Sequence, residues 1–237
     1  MPPPCRSSAS STRRAPPWHP EVVTRAVLFA GGGDYRDPWH PFAESAERLA
    51  EALASEDLPL TTVDTVDALA ARLPDAGLLV LQAGSGDEAN PRDDELLALV
   101  RAHLERGRPL LALHASGGML PEHAAWQTLL GGRWVRDVSW HPEHGEAEVL
   151  VADHPITAGL GDFTVLDERY TDLALQPGIA VLAEHEEAGA RHPLAWAHRV
   201  DAARVVYDAL GHDARSYDSA ERVALLRREL AWLLDET

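Results

Sequence analysis

The sequence predicts an α/β protein built on an open, doubly wound, mostly parallel sheet, with antiparallel insertions in its second half. Three observations lead there. Nearly unbroken apolar runs, as strands buried on both faces require, alternate with amphipathic stretches through the first half. Glycines stand where those runs and stretches end (Gly31–Gly32–Gly33, Gly107). From about residue 145 onward, short alternating segments replace this regular rhythm.

The elements follow in order. Arg25–Ala30 (RAVLFA) is a buried first strand. A helix runs from about Pro41 to Ala54, with Phe42, Ala46, Leu49 and Leu53 on one face and Pro41 in the first turn, where its missing N–H costs nothing. Leu58–Val63 is a second strand, and Asp64–Asp67 caps a short helix through Leu73. Ala76–Leu81 is a third strand, Asp93–Glu105 a helix stopped by Gly107, and Pro109–Leu113 a fourth strand. Trp126–Leu130 closes a helix that turns at Gly131–Gly132. Glu146–Val151, Phe163–Leu166 and Ile179–Ala183 read as strands. Leu194–Ala197 and Arg204–Tyr207 read as a hairpin pair or adjacent strands, and Ala220–Leu234 as a final amphipathic helix. Residues 23–237 are expected to form one domain, preceded by a disordered tail over 1–22 that is rich in Pro, Ser and Arg; a misassigned start would give the same composition.

With 237 residues and 45% hydrophobic content, one substantial core is expected. A formal net charge of -17 repels phosphate backbones and anionic lipid, so neither nucleic acid nor membrane is expected as a partner. The single cysteine, Cys5, allows no internal disulfide and no zinc site built on several thiolates. No window approaches the roughly 20 apolar residues that span a bilayer, and the tail has no apolar signal region. A cytoplasmic location is expected.

The chemistry is expected where the fourth strand ends. Leu110–Leu113 runs into His114, then Ala115–Ser116–Gly117–Gly118, an arrangement like a nucleophile elbow but offering an imidazole. Open α/β sheets bind ligands at the carboxyl ends of their strands. The loop after the first strand, Asp34–Tyr35–Arg36–Asp37–Pro38–Trp39–His40, belongs to the same edge. Glu168 and His212 each follow an apolar strand, and His141 stands before Pro142, which can orient its side chain; His144 and His154 rank lower. In an extended segment Asp167 and Glu168 point opposite ways, so only one of them can face a pocket, and Glu168 is the expected one. His40, His114, His141, Glu168 and His212 could hold a divalent metal such as zinc, or supply acid and base without one. His114, His212 and His40 are the metal candidates; His114, Glu168, His212 and His141 the catalytic ones; Trp196, Tyr170 and Trp39 the substrate-binding ones. Gly31–Gly32–Gly33 lacks the spacing of a dinucleotide loop and no phosphate-binding lysine motif occurs, so no nucleotide cofactor is expected. A tight turn against close neighbours is the plainer reading of those glycines.

Taken together, these residues resemble the ThuA-like, or trehalose-utilisation, family. The resemblance runs over about residues 25–235. It is carried by Gly31–Gly33 with His40, Leu113–Ser116, Leu129–Trp134, His141–Pro142, His154–Thr157 with Gly159–Leu160, Phe163 leading into Asp167–Tyr170, Pro193–Trp196, and Arg204–Tyr207 with Leu210–Asp213. It implies a flavodoxin-like fold of the class I glutamine amidotransferase type. Those enzymes need a cysteine at the elbow; His114 lies at or near that place, so thioester glutaminase chemistry is not expected. The loop after the first strand is poorer in histidine than the family leads one to expect.

The resemblance also implies carbohydrate metabolism: a sugar or 3-keto-glycoside as substrate, and a sugar oxidoreductase acting in the same pathway. The leading expectation is therefore an enzyme, a lyase, isomerase or hydrolase using histidine/carboxylate or metal-assisted chemistry. The alternatives are a non-catalytic sugar-binding or assembly domain and a metal-dependent hydrolase of esters or amides.

Overall fold

A computed structural model describes residues 24–55, 58–85 and 89–234. The N-terminal segment expected to be disordered, with Cys5, lies outside the described residues. The first half forms β1 (Ala26–Ala30), α1 (Phe42–Leu53), β2 (Leu60–Val63), α2 (Val66–Arg72), β3 (Leu78–Gln82), α3 (Asp93–Glu105), β4 (Leu110–Leu113) and α4 (Ala124–Leu130). The second half forms β5 (Gly132–Arg133), β6 (Gly145–Val151), β7 (Phe163–Asp167), β8 (Ala174–Leu175), β9 (Ala180–Glu187), β10 (Ala190–Val200), β11 (Ala203–Asp208) and α5 (Ala220–Leu234). The helices form for local reasons. Thr65 caps α2 by accepting the Ala68 amide, and α1 buries Phe42, Ala46, Leu49 and Leu53, the face read from its spacing.

Nine strands share one sheet in the order β2-β1-β3-β4-β11-β10-β9-β6-β7. The five strands from β2 to β11 are mutually parallel, and the apolar runs β1, β3 and β4 are buried at every position. The expected hairpin of the last two strands is present, Trp196 pairing with Tyr207, and β11 also pairs in parallel with β4. β10, β9, β6 and β7 then alternate in direction. β7 therefore points the same way as β4, and Glu168 leaves the sheet at the same edge as His114.

Two strands run longer than their apolar patterns. β9 continues to Glu187 and β10 begins at Ala190, because a tight turn at Ala188 and Gly189, both left-handed (φ 51° and 78°), pairs the polar ends of the two strands. The short pair β5–β8 has no sequence signal, since two residues are too few for a period. Gly31–Gly33 is a tight turn. Gly32 and Tyr35 exchange backbone hydrogen bonds, and a Cβ on Gly31 would overlap the Phe42 ring.

Candidate functional site

His114 sits at the end of β4 with φ 43°, a left-handed backbone that a non-glycine residue adopts only when its surroundings hold it there. The holding contacts are specific. The Tyr207 hydroxyl donates to the His114 carbonyl at 2.8 Å, and the Ser116 hydroxyl donates to the Leu81 carbonyl at 3.0 Å. The imidazole Nδ1 lies 2.6 Å from the Ala209 carbonyl, an obligate acceptor. Nδ1 therefore carries the proton, and Nε2 presents a lone pair. The Tyr170 hydroxyl donates to that Nε2 at 3.0 Å.

His40 is fixed by the same logic. Its Nδ1 is 2.7 Å from Asp37 Oδ2, while Asp37 Oδ1 accepts the backbone amides of Trp39 and His40. Its Nε2 then points at His114 Nε2 across 3.1 Å. Two neutral rings held this way meet lone pair to lone pair, and only a proton or a cation between them makes the contact favourable. Burial lowers the His40 pKa, and the neighbouring His114 and His212 lower it further; the bond to Asp37 opposes them without reversing the shift.

Glu168 closes the cluster. Its Oε2 is 3.4 Å from His114 Nε2; its Oε1 is 3.3 Å from His212 Nδ1 and 3.6 Å from His141 Nε2. Burial pushes the Glu168 carboxyl up, but a proton carried toward it by the facing His114 or His212 ring overcomes this and holds it far below the usual carboxylate range. The converse holds at His212, where burial is outweighed by the Glu168 carboxylate and the pKa rises. His212 Nδ1 is buried and close to Glu168, yet lies off the hydrogen-bond direction and has no directed partner.

One ligand atom from each of His40, His114, Glu168 and His212 lies within 4.8 Å of all the others. In a tetrahedral zinc site with bonds of about 2.0–2.1 Å, neighbouring ligand atoms stand roughly 3.3 Å apart; His40 Nε2, His114 Nε2 and Glu168 Oε2 are spaced near that edge along 3.1 and 3.4 Å contacts, while the other carboxylate oxygen, Oε1, faces His212 at 3.3 Å. A carboxylate behind one histidine and a carbonyl behind another are the partners that metal-bound imidazoles use. The donor set thus suits a divalent cation. His40, His114 and His212, the metal candidates from sequence, meet here, and Glu168 joins them.

The cluster meets a cavity of about 730 Å3 through His40 and Glu168; Trp39, Trp134, Tyr170, Arg133, Glu122 and His141 also wall it, and His212 lies outside its lining. His114 itself is 1% exposed and reaches the cavity only behind Tyr170 and Glu168. His141 is the most open of the imidazoles. Its Nδ1 donates to the Pro142 carbonyl at 2.8 Å, which leaves Nε2 free to take a proton. Trp39, 58% exposed, stands at the rim.

Trp196 is a correction. It is fully buried, donates from its indole to the Leu130 carbonyl at 2.7 Å and packs on Tyr207. It faces the core side of β10 under the α4–β5 turn, away from the cavity. His154 only caps the turn at residues 155–157, and His144 lies behind His212 near Asp213. Sequence reasoning passed over Asp37 and Trp134. The Asp-x-x-His spacing could have flagged Asp37, because an Asp side chain readily captures amides two and three residues on. Trp134 carried no such sign.

The family model for ThuA, described as trehalose utilisation, matches residues 26–233. Among solved structures, a ThuA-like protein from Parabacteroides merdae superposes with a TM-score of 0.72 at 16% identity, over 90% of this chain and 92% of that one. A ThuA-like protein from Bacteroides uniformis gives 0.71 at 15% identity, over 94% and 96%. A glutamine amidotransferase from Thermotoga maritima gives 0.58 at 14% identity, over 91% and 100%, which shows the shared fold. No curated protein matches this chain. With the family model matched over residues 26–233, nearly all of the described chain, this protein belongs to the ThuA family.

Proposed function

We propose that this protein is an enzyme of carbohydrate metabolism that acts on a sugar or 3-keto-glycoside, with histidine and carboxylate groups working around a divalent metal such as zinc. The observation that carries the reading is the convergence of His40, His114, Glu168 and His212, from four separate loops, on one point beneath a cavity that His40 and Glu168 line. A scaffold that only bound a partner would have no need to hold two imidazole lone pairs 3.1 Å apart. The family's description, trehalose utilisation, supports a carbohydrate role. A cavity of about 730 Å3 is within the usual range for small-molecule sites.

A cation held by His40, His114, His212 and Glu168 would supply Lewis-acid polarisation of a substrate oxygen. The remaining work falls to this chain's own groups. Trp39 and Trp134 offer flat apolar faces to a sugar ring, while Arg133 and Glu122 offer hydrogen bonds to hydroxyls. His141 Nε2 accepts the proton from the carbon beside the ketone of a 3-keto-glycoside. Loss of that proton lets the glycosidic oxygen depart with the bond pair. A sugar oxidoreductase in the same pathway would supply the ketone.

The test has two arms. Elemental analysis of untagged, freshly purified protein should find near-stoichiometric divalent metal, lost in His114→Ala and His212→Ala. In deuterated water, NMR should show exchange at the carbon beside the ketone of a 3-keto-glycoside, abolished in a folded His141→Ala variant. Absence of both metal and exchange overturns the proposal.

A further inference from the structure

We infer that Asp167 is the positioning residue that holds Glu168 and His212 at their working separation. The inference deepens the reading of the cluster as a divalent-cation site and rests on it. Asp167 ends β7 and is 1% exposed. Adjacent side chains in an extended segment point to opposite sides, so as Glu168 turns into the cavity, Asp167 turns under it. There its carboxylate accepts three backbone amides. Oδ1 takes the N–H of Glu168 at 2.9 Å and that of His212 at 3.1 Å; Oδ2 takes the N–H of Gly211 at 2.8 Å. One buried carboxylate thus grips the backbone on both sides of the 3.3 Å contact between Glu168 Oε1 and His212 Nδ1.

The loop needs this grip. Gly211 has φ 114°, and a Cβ there would meet the Tyr217 hydroxyl at 2.8 Å. Such a backbone is open to glycine alone, and glycine brings no conformational preference of its own. Upstream, the chain is anchored by Ala209 N–H on the Leu194 carbonyl at 2.7 Å and Leu210 N–H on Asp208 Oδ1 at 2.9 Å. Beyond Leu210 the amides that lead to the His212 ring are held by Asp167. An asparagine cannot replace it. If its oxygen serves Glu168 and His212, its NH2 group faces the Gly211 N–H, donor to donor.

The experiment compares wild type, Asp167→Asn and a remote core control, Leu69→Ala on α2, which lowers stability without touching the site. Amide hydrogen exchange at Gly211 and His212, and the ring 15N resonances of His212, are read on metal-free protein. Zinc affinity is read by competition with a chromophoric chelator. Protection at the two amides should fall and the His212 ring resonances should shift in Asp167→Asn only, with zinc bound about 10–100-fold more weakly, as for other groups that orient metal ligands. Exchange, resonances and zinc affinity that match the control overturn the inference. If wild type takes up no zinc, the cation reading falls, and the metal-free readings still decide the role of Asp167: changes confined to Asp167→Asn uphold it, and their absence overturns it.

Discussion

His103 should make the fold sensitive to mild acid. It lies in the last turn of α3, 2% exposed, and its Nε2 donates to the Pro109 carbonyl at 3.0 Å. Its Nδ1 is buried with no hydrogen-bond partner, so a proton placed there would have no acceptor. Burial, helped by Arg108 and Arg106, pushes its pKa from 6.5 down to about 4. A base depressed in the folded state contributes stability that is fully present above its unfolded pKa and is lost as pH falls through its folded one. The difference amounts to about 3 kcal/mol in total, of which about 2 kcal/mol is lost between pH 7 and pH 5. His103→Gln keeps an N–H donor for Pro109 but does not titrate. Urea unfolding at pH 7 and pH 5 should show wild type losing about 2 kcal/mol more than the variant over that interval. Parallel losses in the two proteins would refute the reasoning, because they would mean His103 takes up its proton without unfolding.

Other outcomes follow from the same contacts. Asp208 and Arg222 form a fully buried ion pair at 2.7 Å beneath the loop that carries His212, so Arg222→Met, which strands the Asp208 charge, should cost about 3–5 kcal/mol in chemical denaturation. The two tryptophans should separate cleanly. Trp196→Ala removes a fully buried ring and should cost about 3–5 kcal/mol, whereas Trp39→Ala, at the rim, should change stability by no more than about 0.5 kcal/mol while weakening sugar binding measured by calorimetry. His212, raised above its ordinary pKa by Glu168 despite burial, contributes stability that is full below the ordinary histidine value and lost as pH rises through its folded one. Thermal melts of metal-free wild type should therefore decline on that alkaline side, and Glu168→Gln should flatten the decline.

Much of the scaffold was legible because its signals are local. α3 and α5 span the very residues their apolar spacing predicts, and β1, β3 and β4 show as unbroken apolar runs because parallel strands are buried on both faces. His114 was legible for the same reason: an apolar run that stops at an imidazole followed by small residues marks a strand end. The opposite orientations of Asp167 and Glu168 also followed from strand geometry alone. Trp196 was misplaced because a tryptophan in an apolar run reads alike whether it faces core or cavity, and only the packing of β10 against α4 and β5 decides between them. The pairing of His40 with His114, and of Glu168 with His212, joins residues 74 and 44 positions apart. What brings them together is the direction of each strand in the sheet and the grip of Asp167, at the end of β7, on the loop that follows β11. Sequence alone determined the helices, the strands apart from the short β5–β8 pair and the polar ends of β9 and β10, and most of the residues able to do chemistry. The tertiary structure alone decided which of those residues meet, because hydrogen-bonded strand pairing acts between segments that no local pattern connects.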